Sequence, residues 1–147
     1  MAHFINRQGY ELDKVRSERY MLIFPKAIYE FNLDAKAPLT FVLDTGVMLQ
    51  PDRHMAETDL GSIPVPLQPF FPKDEFLLSY LFHDSAYKHG GLYVRKPGDA
   101  DYTFEAMNRD DIDGLLRMMI KAEGGGAIKR SLIYNAVRLG GSKSFKK

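Results

Sequence analysis

The amino-acid sequence predicts an α+β fold: a small N-terminal antiparallel β-sheet, a proline-rich loop, and then three to four helices. Three observations carry this expectation. Residues 17–50 hold short apolar runs of strand length separated by turn residues, residues 51–74 are dense in proline, and from residue 75 onward apolar side chains recur at helical spacing.

At 147 residues the chain is most simply one domain, and 45% hydrophobic with 27% charged residues is the balance of a globular protein that builds its own core. Twenty Lys and Arg against 19 acidic residues leave a net charge of +1, so nothing in the overall charge points to nucleic acid. There are no cysteines, which removes disulfides, thiolate metal sites and a cysteine nucleophile. No apolar run approaches the ~20 residues of a membrane span, and the first ten residues lack the apolar centre of a secretory signal. Synthesis in a cytoplasm is the expectation.

Residues 1–16 show no clear period and are expected to form an irregular arm. Strand-like runs follow at Tyr20–Phe24, Ala27–Phe31, Leu39–Leu43 and Val47–Leu49. Asp44-Thr45-Gly46 between the last two reads as a tight hairpin turn. The same tripeptide occurs in aspartic proteases, which need two such aspartates sharing a proton, and this chain has one Asp-Thr-Gly. Pro64, Pro66, Pro69 and Pro72 make the next segment an ordered loop, in which Asp59, Gly61 and Ser62 can either satisfy turn backbone or supply a carboxylate, an amide and a hydroxyl to a site.

A first helix is expected over residues 75–89, with Asp74 as N-cap and Gly90-Gly91 as the stop. Its face carries Phe76, Tyr80, His83, Asp84 and Tyr87, which turns a histidine and a carboxylate inward. A second helix over residues 98–108 would place Asp101 at the edge of an Ala100, Phe104, Met107 stripe, within reach of His83. A third, capped by Asp110 or Asp111, runs through Ile112, Leu115, Leu116, Met119 and Ile120 to Glu123. A fourth, over residues 127–139, is expected to bury Ile128, Leu132, Asn135, Ala136 and Leu139. The triple glycine at 124–126 lacks the Lys-Ser/Thr of a phosphate loop and reads as a helix joint, and residues 142–147 form a basic tail. His3, His54 and His89 stand at no helical ligand spacing and read as surface histidines.

Ionisable residues lie inside apolar helical patterns only between Leu77 and Met107, so chemistry is sought there. Buried charges must be paired, hydrogen-bonded or bound to metal. His83-Asp84-Ser85-Ala86-Tyr87 followed by Ala100-Asp101-Tyr102-Thr103-Phe104 resembles the phospholipase A2 group, closest to its compact viral form. The resemblance implies that His83 activates a water, that Asp84 binds calcium, and that an aspartate on the facing helix, here Asp101, orients the imidazole. Asp59 and the backbone near Gly61 and Ser62 stand in for the missing calcium loop, with Tyr80 and Tyr87 in support. A wider set of ordered blocks adds Thr58-Asp59-Leu60-Gly61-Ser62-Ile63-Pro64 and Ala136-Val137-Arg138-Leu139-Gly140-Gly141. Together they look like a family of small phage and prophage proteins carried as a domain of unknown function.

Two functions follow from these residues. One is a phage-derived, phospholipase A2-like esterase acting on phospholipid or another ester through His83 and Asp101, with calcium at Asp84 and Asp59. The other is a non-enzymatic part of a phage particle, in which His83, Asp84, Asp101, Tyr80 and Tyr87 form a polar knot and the arm or sheet contacts neighbouring particle proteins or a second copy. The helical pattern shows no exposed amphipathic helix able to anchor the chain on a membrane.

Overall fold

A computed structural model describes residues 1–20, 24–53, 56–58 and 73–140. The chain is α+β, with eight strands and three α-helices among these residues. One antiparallel sheet has the order β1-β4-β5-β7-β8, and a second has the order β2-β3-β6. The strands are β1 His3–Ile5, β2 Tyr10–Tyr20, β3 Phe24–Leu33, β4 Thr40–Val42, β5 Met48–Gln50, β6 Ala56–Thr58, β7 Gly91–Arg95 and β8 Thr103–Ala106. The helices are α1 Leu77–His89, entered through a 3-10 turn at Lys73–Phe76, then α2 Arg109–Ala122 and α3 Ala127–Gly140.

The β4–β5 hairpin forms where turn chemistry places it. Gly46, at φ 87, donates its N–H to the Leu43 carbonyl at 2.9 Å, and Leu43 N–H reaches the Val47 carbonyl at 2.8 Å. Residues 1–16 are not an irregular arm: they supply β1 and most of β2, which pairs with β3 from Tyr10↔Leu33 to Tyr20↔Phe24 with a bulge between Lys14 and Arg16. The alternation is hidden in the sequence because β2 is polar on much of both faces, so its hydrogen-bond ladder, and not apolar burial, holds it. Ala56–Thr58, inside the expected proline loop, adds the third strand of that sheet, while all four prolines from 64 to 72 lie outside the described residues.

α1 is the centre of the molecule. Leu78 through Tyr87 are all buried, so the helix is enclosed on every side and does not bury only one face. Leu81, Phe82 and Ala86 join Phe41, Leu49, Leu92, Ile112, Leu116 and Val137 in one core. The expected cap at Asp74 is not the cap. Phe76 holds that position without a side-chain hydrogen bond, and the Glu123 carboxylate at the end of α2 reaches across to accept from Ser79 N–H and Ser79 Oγ, both at 2.6 Å. A partner distant in sequence thus satisfies the amide that α1 leaves unpaired.

α1 ends where the chain must reverse. Gly90 is left-handed (φ 74) and returns its N–H to the Ala86 carbonyl, and a Cβ on Gly91 would sit 2.1 Å from the Glu105 carbonyl oxygen. The chain therefore leaves the helix straight into β7, which pairs with β8 through Tyr93↔Phe104 and Val94↔Thr103. This overturns the helix expected over residues 98–108. Gly98 adopts φ 91 and Asp99 Oδ2 accepts from Lys96 N–H at 3.1 Å, so these residues make a turn, and the Phe104 segment is a strand.

Candidate functional site

α1 and α2 bring one buried polar cluster together. His83 Nε2 lies 2.7 Å from Asp113 Oδ1, and the Tyr87 hydroxyl, one helical turn on, donates to the same oxygen. Arg138 Nη1 from α3 donates to Asp113 Oδ2 at 2.8 Å, and Arg109 Nε lies 3.8 Å from it. Arg109 is also shared: its Nε donates to Tyr87 OH at 3.0 Å while Nη2 caps α3 through the Val137 and Arg138 carbonyls at 3.1 and 2.7 Å. Three helices are thus tied at one carboxylate. His83 is 2% exposed and Asp113 0%.

Burial pulls the His83 imidazole below its ordinary value, against the hydrogen bond and charge of Asp113, so the ring is neutral near pH 7. Burial pushes the Asp113 carboxyl the other way, but hydrogen bonds from His83, Tyr87 and Arg138 outweigh it and hold the group ionised, below the usual carboxylate range. The Tyr87 phenol is pushed up by burial and by its bond to Asp113. With an ionised carboxylate facing Nε2, the imidazole carries its proton there and Nδ1 is the basic nitrogen.

Asp101 does not take the place expected of it. It is exposed in the connection between β7 and β8, and Asp113 from α2 is the aspartate facing His83. The signal for Asp113 was present: Ile112, Asp113, Leu116, Met119 and Ile120 share one stripe, the same pattern that marks His83 and Asp84, and four of these are apolar and buried. Capping falls to Asn108, whose side chain accepts from Asp111 N–H at 2.8 Å, so Asp110 and Asp111 are not the caps. Tyr80 is buried toward the other end of α1, where burial and then the charges of Glu75 and Glu123 push its phenol pKa up and keep it protonated, and its hydroxyl has no hydrogen-bond partner among the described residues. Asp59, Gly61 and Ser62 lie outside the described residues.

Asp84 is buried beside His83, with Oδ2 3.4 Å from Lys88 Nζ one turn along the helix. Calcium takes roughly six to eight oxygen ligands. Among the described residues no group of three or more His, Asp or Glu is placed to hold a metal, and Asp84 contributes a single carboxylate, ion-paired with Lys88. A groove of about 590 Å³ runs between the sheet and another face of α2, past Leu49, Val94, Met107, Leu115 and Met118; neither His83 nor Asp113 lines it.

No family model, no curated protein and no solved structure matches the chain. Among the described residues no helix is long and apolar enough to cross a membrane.

Proposed function

We propose that this chain is a phage-derived, phospholipase A2-like ester hydrolase whose dyad is His83 with Asp113. The observation that carries the reading is the 2.7 Å contact between His83 Nε2 and a fully buried, ionised Asp113 on the facing helix. Such a carboxylate fixes the tautomer and stabilises an imidazolium, which are the two services a histidine base requires.

In the reaction, a water oxygen attacks the ester carbonyl carbon as His83 Nδ1 takes its proton. The imidazolium, held by Asp113, then returns that proton to the departing alkoxide, giving a carboxylic acid and an alcohol. Tyr87 and Arg138 hold Asp113 in place and keep it charged. Calcium belongs to the proposal as a dependence to be measured, with Asp84 and Asp59 as its carboxylates, and no step above runs through it.

A second reading is favoured by how closed the cluster is. Asp113 accepts from His83, Tyr87 and Arg138, with Arg109 beside it, and the histidine is almost wholly covered, which is how a polar tie between helices is built. In that case the chain is a structural component of a phage particle, partnered by particle proteins. Fatty-acid release from mixed phospholipid vesicles, with and without calcium, separates the two. Release by wild type that is lost in His83→Gln and Asp113→Asn supports the hydrolase. No release by the folded wild type supports the structural tie.

A further inference from the structure

Arg53, between β5 and β6, is held in place by a chain of buried polar groups. Its Nη2 donates to Gln50 Oε1 at 2.8 Å, Gln50 Nε2 donates to Thr40 Oγ1 at 3.0 Å, and that hydroxyl donates to the Pro38 carbonyl at 3.0 Å. Gln50 and Thr40 are each 2% exposed, whereas Arg53 is exposed, with its guanidinium 5.9 Å from the centre of the Tyr102 ring. The relay leaves further N–H donors of the planar fork unused, and among the described residues no carboxylate pairs with them. The fold thus orients a guanidinium without supplying its counterion.

Arg53 lines a hollow of about 610 Å³ that takes in no residue of the His83–Asp113 cluster. Its shape is set by backbone. The turn ahead of β2 closes with Gly9 N–H on the Asn6 carbonyl at 2.8 Å, and Asp34 N–H donates to the Gly9 carbonyl at 2.9 Å. A Cβ on Gly9 would meet the Ala37 carbonyl oxygen at 1.8 Å, so the two segments cross in direct contact. Asp34 Oδ1 accepts from Lys36 N–H at 2.8 Å and fixes the turn that carries both charges. Two cations, Arg53 and Lys36, and two carboxylates, Glu11 on β2 and Asp34, therefore line one space, with the amides of Gln8 and Asn32 among them. Among the described residues no ion pair joins these four charges. An anion alone would face two carboxylates, and a cation alone would face Arg53 and Lys36.

We propose that this hollow binds a small zwitterion, its phosphate or carboxylate on Arg53 and Lys36 and its ammonium on Glu11 and Asp34, with Gln8 and Asn32 bonding the polar atoms between. The site goes beyond the hydrolase reading and binds whether or not His83 is a base.

The test is amide NMR titration of the whole chain with O-phosphoethanolamine and with β-alanine, against ethyl phosphate and ethylamine as single-charge comparators. One zwitterion or both give saturable shifts at Gln8, Asn32 and Lys36, the stronger of the two naming the anion as phosphate or carboxylate. Each comparator binds about tenfold more weakly or worse, the scale of one lost charge-assisted contact. Arg53→Ala and Glu11→Gln each weaken the preferred zwitterion about tenfold, and Arg53→Lys, which keeps the charge without the planar fork, weakens it as well. Arg53→Ala removes the donor to buried Gln50, so Glu11→Gln and Lys36→Ala, at exposed positions, decide the matter if that variant unfolds. The proposal is overturned if neither zwitterion saturates at millimolar concentration, or if ethyl phosphate binds as well as O-phosphoethanolamine. It is equally overturned if folded Arg53→Ala, or both Glu11→Gln and Lys36→Ala, bind as wild type does.

Discussion

Asp113→Asn is the substitution on which the architecture of the cluster turns. Asparagine keeps the shape and one acceptor oxygen, which can remain with His83 Nε2 and Tyr87 OH. Its amide NH2 then faces Arg138 Nη1, which donated to the carboxylate at 2.8 Å. Two buried hydrogen bonds fall from charge-assisted to neutral, at about 1 kcal/mol each, and the ion pair is lost, at about 1 kcal/mol because Arg138 is a third exposed and regains water. The sum is about 3 kcal/mol, equivalent to a drop in Tm of roughly 6–12 °C for a chain of this size. Urea unfolding at neutral pH measures it, with an unchanged slope showing that the transition itself is the same. The exposed Asp101→Asn is the control and stays within about 0.5 kcal/mol of wild type. The reasoning fails if Asp113→Asn is as stable as wild type, or if Asp101→Asn falls by a comparable amount. If the dyad is catalytic, Asp113→Asn also loses about 10³- to 10⁴-fold in turnover.

Protonating His83 opposes its burial, so the unfolded chain binds that proton more readily. Stability from this group is whole above the unfolded imidazole value of about 6.5 and is lost as pH falls from there toward the depressed folded value; His83→Gln flattens that part of the stability–pH curve. Asp113, whose folded value is lowered, adds a further loss at more acidic pH, as its carboxylate is protonated. Glu123→Ala removes the acceptor of Ser79 N–H and Oγ and costs about 1–2 kcal/mol, with faster hydrogen exchange at the Ser79 amide as the local readout. On α3, Ile133→Ala costs about 2–4 kcal/mol in urea unfolding, whereas Ile128→Ala stays within about 0.5 kcal/mol.

How far the sequence could be read depended on whether the signal was local. Periodicity and glycine stops placed α1, α2 and α3 within a few residues, and Asp44-Thr45-Gly46 placed the β4–β5 turn, because these depend on backbone preferences of neighbouring residues. Asp59, Gly61, Ser62 and the basic tail fall outside the described residues. The helix expected over residues 98–108 had a helical stripe too, but the Gly98-Asp99 turn and the ladder to β7 prevailed, since a strand partner outweighs a weak local preference.

An α+β chain with His83 and Asp84 on one helix rich in apolar residues was legible from local pattern, because helix periodicity and glycine stops act between neighbouring residues whatever packs on them. Which carboxylate meets His83 was settled by long-range packing. Asp101 lies 18 residues from His83 and Asp113 lies 30, and the choice followed from β7 and β8 filling the interval as a hairpin, which carried α2 and not residues 98–108 against α1. The same holds for α3. Both of its stripes are apolar, and periodicity cannot say which faces inward; packing against α2, anchored by Arg109 and Arg138, turned Ile133 and Val137 to the core and left Ile128, Leu132 and Leu139 outside.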